Sequence, residues 1–95
     1  MSERYRLAEN VVRRSTTTGL SMLFDRRKGV MYELNETASA VVDLLDAGTD
    51  TLERVVTALA EQFDAAPEEI SGDVQRMLAD FTDGGLVVVH EHEVA

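Results

Sequence analysis

The sequence predicts an α+β domain: an N-terminal three-stranded antiparallel sheet followed by three helices. Three observations carry that prediction. Val30, Tyr32 and Leu34 alternate with Met31 and Glu33, the period of two of a half-buried strand. Asn35 follows at once, a residue type that caps helices by accepting a bond from an orphan N–H of the first turn. Beyond it, three segments repeat apolar residues at helical spacing, whereas most of the chain before it is rich in strand formers and turn residues.

Taken in order, Tyr5 and Leu7 can lie along a first extended segment, and Val11-Val12-Arg13-Arg14 is a stronger strand candidate. Ser15-Thr16-Thr17-Thr18-Gly19 reads as a turn. Leu20 to Phe24 is the next strand, and Asp25-Arg26-Arg27-Lys28-Gly29 is a hairpin loop in which Gly29 can take a positive φ. The hairpin returns the chain as the strand Val30–Leu34, so the sheet is antiparallel.

The first helix is expected from Glu36 to Ala47, with Ala38, Val41, Val42 and Leu45 as its stripe and Gly48 at its C-terminal cap. The second starts near Asp50-Thr51 and runs to Phe63, with Leu52, Val55, Val56, Leu59 and Phe63 inward; Asp50 and Glu53 have the spacing of a capping box. Pro67 fits the first position of a third helix, where no N–H is needed. That helix extends to Asp83 and stops at Gly84-Gly85. Ile70, Val74, Met77, Leu78 and Phe81 form its apolar stripe, flanked on one side by Glu69, Asp73, Arg76, Asp80 and Asp83. Leu86–Val89 is a last strand or a tail packed on the core. A sheet, three helices and a closing strand is the layout of a winged helix-turn-helix domain.

Ninety-five residues make one domain, without room for a second core. A hydrophobic content of 44% is that of a folded chain. There is no cysteine, hence no disulfide, thiolate metal site or cysteine nucleophile. No apolar run approaches a membrane span and no signal-peptide pattern opens the chain, so a cytoplasmic protein without membrane partners is expected. Eighteen acidic residues against nine basic ones give a net charge of −9, which repels nucleic acid. A helix-turn-helix reader built on the third helix would carry Glu68, Glu69, Asp73, Asp80 and Asp83 against the single base Arg76 into a groove walled by phosphates. DNA binding would need a basic patch assembled from Arg13, Arg14, Arg26, Arg27 and Lys28. No catalytic triad, Gly-rich phosphate loop or HExxH motif is present, and neither an enzyme nor a cofactor is expected. His90 and His92 alternate as chelating residues do, but no third ligand accompanies them and an acidic tail explains them.

Tyr32-x-Leu34-Asn35-x-Thr37-Ala38, after Leu23-Phe24-Asp25 and a short turn, then Thr51-Leu52, Asp73-Val74 and Gly85-Leu86, resembles in this order the PqqD-like family, or RiPP recognition elements. The resemblance spans roughly residues 8 to 90. It implies a winged-helix fold and a non-catalytic role: binding the leader segment of a ribosomally made precursor peptide. In that family the leader adds as a strand and lies against the third helix. Carried onto this chain, the groove falls between Val30, Met31, Tyr32, Glu33 and Leu34 on one side and Asp73, Arg76, Met77, Asp80 and Phe81 on the other. Met77, the rim of Phe81 and the outward Met31 would offer an adaptable apolar floor, as methionine allows. Each of Met77 and Phe81 is equally well accounted for as core. Overall similarity points to lasso-peptide biosynthesis, with a leader-removing cysteine protease as partner; the alternative is delivery of a precursor to a radical-SAM enzyme in the pyrroloquinoline quinone pathway. An exposed strand edge can also pair with a second copy, giving a homodimer.

Overall fold

The computed structural model describes residues 3–91, with side chains through 90. Five strands and three helices follow in the order β1 (Glu3–Leu7), β2 (Val11–Ser15), β3 (Ser21–Asp25), β4 (Val30–Glu33), α1 (Glu36–Asp46), α2 (Leu52–Gln62), α3 (Pro67–Asp83) and β5 (Val87–Glu91). β2, β3 and β4 form an antiparallel sheet in sequential order, which leaves β4 at one edge. β1 and β5 form a second, two-stranded sheet, pairing Leu7 with Val87 and Arg4 with His90. This ribbon is what periodicity left open at both ends of the chain. Each strand alone is a short mixed run, and only its distant partner completes it. His92 and the rest of the acidic tail lie outside the described residues.

The helix boundaries follow from local chemistry. Asn35 caps α1, its Oδ1 accepting from the Ala38 N–H at 2.8 Å. α2 is capped one residue later than the Asp50–Glu53 spacing suggests. Thr51 accepts from the Arg54 N–H, while the Asp50 carboxylate bonds Arg4 at 3.0 Å and its carbonyl accepts from the Tyr5 N–H. Asp50 is thus spent on holding β1 to the α1–α2 turn. α3 opens on Pro67 without a side-chain cap and closes in a Schellman turn. There Gly85 takes φ +77°, and the Leu86 N–H reaches the Phe81 carbonyl at 2.9 Å. A side chain at Gly85 would be strained in this left-handed conformation.

Two apolar clusters result. Val41, Leu45, Val55, Leu59, Val74, Leu78 and Val87 join the three helices to β5. Leu23, Leu34, Ala38, Val42 and Leu86 join the three-stranded sheet to α1 and the end of α3. Met77 and Phe81 pack against both clusters. They are the side chains through which the position of α3 is coupled to the sheet.

Candidate functional site

β4 is a four-residue edge strand, paired on one side only, through Met31↔Phe24, Tyr32↔Leu23 and Glu33↔Met22. The Leu34 N–H bonds the Ser21 carbonyl. Antiparallel pairs alternate between bonded and non-bonded partners, so Tyr32, two residues earlier, also bonds inward. The main-chain N–H and C=O groups of Met31 and Glu33 therefore point to the open edge. The strand also holds the largest exposed apolar side chains of the domain among the described residues, Val30 at 41% and Met31 at 52%.

Two features place the ends of β4 near α3. At its start, the hairpin residue Lys28 donates from Nζ to the Gly84 carbonyl, at the C-terminal end of α3, over 3.2 Å. At its end, an open groove of about 340 Å³ is lined by Asn35 and Thr37 from the start of α1 and by Asp73, Arg76, Met77 and Asp80 from α3. β4 thus runs along α3 in the opposite direction. Met77 is the groove's apolar lining residue, and it packs with Tyr32 and Phe81 against the cluster that contains Leu23, Leu34 and Leu86. The groove's far wall is acidic. Arg76 lies 3.7 Å from Asp73 with both side chains largely in solvent, a pair of small energetic weight.

The structure brings Asp73, Arg76, Met77 and Asp80 together at the groove, with Tyr32 and Phe81 in the packing beneath it. Leu34 is buried and serves the core. Met31 does not share a floor with Met77: it lies on the opposite face of β4 from Tyr32, as period two requires. Asn35 and Thr37 line the groove although only their capping and motif roles were evident in the sequence.

The hairpin rests on a residue that the sequence reading passes over as a loop acid. Asp25 is 1% exposed. Its Oδ1 accepts from the Asn10 amide at 2.8 Å and from the backbone N–H groups of Arg27 and Lys28. The bond from Asn10, working against burial and aided by these N–H groups and the Lys28 charge, holds the Asp25 carboxyl below the usual carboxylate range. Asn10 also accepts the Arg26 N–H through its carbonyl, tying the β1–β2 turn to the β3–β4 turn. A composition-based reading has no signal for this; an Asp at the first position of a turn is the nearest one.

The basic residues do not assemble into one patch. Arg13 bonds Asp43 at 3.1 Å and Asp46 at 3.2 Å, and Arg26 donates to the Glu9 carbonyl. Arg14 sits opposite Met22, about 10 Å along the sheet from the Asp25 end of β3 where the hairpin begins. Near the C-terminal end, Arg6 donates from Nε to His90 Nε2 at 2.9 Å, so His90 is engaged in the β1–β5 ribbon. Among the described residues no group of three or more His, Cys, Asp or Glu side chains could hold a metal ion, and no helix is long and apolar enough to cross a membrane.

Residues 21–87 match the family model for coenzyme PQQ synthesis protein D, PqqD. The chain belongs to the PqqD family. The matched span takes in β3, β4, all three helices and the first residue of β5, and so contains the whole groove. Solved structures share the PqqD fold. A lasso peptide synthetase B1 complexed with its leader peptide is 24% identical, with TM-score 0.74 over 88% of this chain and 96% of that one. TbiB1 in complex with the TbiA(β) leader peptide is 18% identical, with TM-score 0.78 over 95% and 99%. The PqqD part of Methylobacterium extorquens PqqCD, a stand-alone RiPP recognition element, is 23% identical, with TM-score 0.70 over 90% and 88%. No curated protein sequence matches.

Proposed function

We propose that this PqqD-family chain binds the leader segment of a ribosomally made precursor peptide by strand addition to β4. It would present the bound precursor to a leader-removing cysteine protease in lasso-peptide biosynthesis. The observation that carries this is the open β4 edge running beside the α3 groove. An extended peptide there gains main-chain hydrogen bonds from Met31 and Glu33 whatever its sequence, while the groove selects side chains. Two of the similar structures are leader-peptide complexes, and one of them is of a lasso peptide synthetase B1, which supports the choice of pathway. The domain performs no bond chemistry in this reading: it raises the effective concentration of the precursor at its enzyme. A short strand-adding segment should bind with about −8 to −10 kcal/mol, in the micromolar to sub-micromolar range. The protein acts in the cytoplasm, where precursor peptides are made.

A second reading places the chain in pyrroloquinoline quinone synthesis, delivering a precursor to a radical-SAM enzyme; the family match and the PqqCD neighbour favour it. Winged-helix DNA binding has less support, because the net charge is −9 and Arg13 is paired with Asp43 and Asp46.

Titration of isotope-labelled protein with the leader peptide encoded beside its gene tests the reading. Amide shifts concentrated on Val30–Glu33 and Asp73–Phe81 are expected. Silence with leader peptides and shifts at Arg14 and Arg26–Lys28 with duplex DNA would overturn it. Which processing enzyme, protease or radical-SAM protein, co-purifies with the peptide-loaded domain separates the two pathways.

A further inference from the structure

Val12, Phe24 and Met31 are direct cross-strand neighbours in one row across the three-stranded sheet, and Arg14, Met22 and Glu33 form the next row in that direction. These side chains point away from the core face, which is occupied by Leu23 and Tyr32. Val12, Met22, Phe24 and Met31 belong to neither apolar cluster. The row becomes more exposed toward the open edge: Val12 and Phe24 are half-buried, while Met31 is 52% exposed. Phe24 has a strand on each side of it, and Met31 has one on one side only.

We infer that a peptide added to β4 is read on both of its faces, with an apolar side chain opposite Met31 extending the Val12–Phe24–Met31 row on the outside of the sheet. This rests on the strand-addition reading above. A strand at the β4 edge has no choice of face: successive side chains alternate, and directly opposed residues share a side. Over the four residues of β4, about 13 Å, the positions opposite Val30 and Tyr32 point toward α3, and those opposite Met31 and Glu33 point outward. The outward position at Met31 meets an apolar, flexible side chain backed by Phe24. The outward position at Glu33 meets a carboxylate beside Met22, with Arg14 one strand further, and favours a polar or basic residue. The occupant is therefore a segment with apolar residues at adjacent positions of opposite parity, one for the Tyr32–Met77 floor and the next for Met31. A peptide selected by the α3 groove alone would show only one parity.

A positional-scanning library of synthetic decapeptides, bound to the folded chain and to its Met31→Glu, Met31→Leu and Met77→Ala variants, tests this. The wild-type chain should select apolar residues at two neighbouring positions. Met31→Glu should weaken the best peptide about 5- to 10-fold and erase the preference at one of them, as expected for one cross-strand pair plus lost burial. Met31→Leu should keep both preferences, and Met77→Ala should erase only the other. Peptides that bind with a single apolar parity, or with affinity indifferent to Met31→Glu, would overturn two-faced reading and leave strand addition standing. If no decapeptide binds the wild-type chain, strand addition itself falls. Unchanged amide dispersion in Met31→Glu, expected for so exposed a residue, rules out a folding defect as the cause of weaker binding.

Discussion

The two edges of the three-stranded sheet each lie near a helix bearing aspartates, and the two flanks behave differently. At the β2 edge, Asp43 and Asp46 of α1 are answered from within the domain. Arg13 bonds both carboxylates, and Ser21 donates to Asp43 at 2.6 Å. Ser39 accepts the Ser21 N–H at 2.8 Å, so the network is continuous from sheet to helix. At the β4 edge, Asp73 and Asp80 of α3 line an open groove, and the salt bridge found there among the described residues is from Arg76 on the same helix, at 3.7 Å from Asp73. Residue type is the same on both flanks, two helical aspartates on each. What distinguishes them is whether the fold itself supplies the counter-charge. The β2 flank is closed by the domain's own residues; in the proposed reading the solvated β4 flank is the one open to a peptide.

The most damaging way to break this comparison is at the hairpin that holds β4 in place. Asp25→Ala would strand the Asn10 amide and two turn N–H groups, and should cause the largest fall in thermal midpoint of the changes considered, with loss of peptide binding. The same carboxylate gives a pH signature. Its folded pKa is lowered, so its contribution to stability is complete above the unfolded value of about 3.9 and is lost as pH falls through the folded one. Urea midpoints measured down through that range should fall more steeply for the native chain than for Asp25→Asn.

Arg13→Ala comes next. It leaves Asp43 and Asp46 without their cation and should cost about 1 kcal/mol in urea denaturation, because both carboxylates are half in solvent. Peptide affinity should stay within a factor of two, because the β2 flank is structural; a large loss of affinity would erase the distinction between the flanks. Glu33→Pro sharpens the comparison from the other side. It removes an open-edge N–H while leaving the bonds to β3, and edge strands tolerate proline. Leader-peptide affinity measured by calorimetry should fall about 5- to 10-fold, one hydrogen bond's worth, with little change in stability.

The smallest effect is expected from Asp73→Asn combined with Asp80→Asn. Stability should move by less than about 0.5 kcal/mol, as for surface substitutions. Peptide affinity should shift a few-fold and lose much of its salt dependence. A stability loss of several kcal/mol would mean that the α3 acids are structural after all.

The elements were legible in the sequence wherever the determinant is local. The alternation at Val30–Leu34, the Asn35 cap, the apolar stripes of the three helices and Pro67 each act within a turn or a strand. The groove was half legible: Asp73, Arg76, Met77 and Asp80 share a flank by helical spacing, and α3 presents them to one groove. Met31 is outward by the period of two in the sequence, and the structure keeps it on the face of β4 opposite Tyr32. Asp25 and Asp50 were read as a loop acid and a cap because their actual partners, Asn10 and Arg4, lie 15 and 46 residues away. The partner strands of the β1–β5 ribbon are further apart still.

That ribbon also bears on the order in which the chain folds. Pairing Leu7 with Val87 closes a loop of about 80 residues, whereas the β3–β4 hairpin closes about five. On a logarithmic closure law the difference is about 2.5 kcal/mol of chain entropy, set against a two-stranded ribbon's modest pairing energy. The hairpin that carries the open edge can therefore form early, and the ribbon closes only once the helices have brought the two ends together. The β4 edge can thus form before β5 pairs with β1, so an emerging chain can present this edge while β5 is still being made.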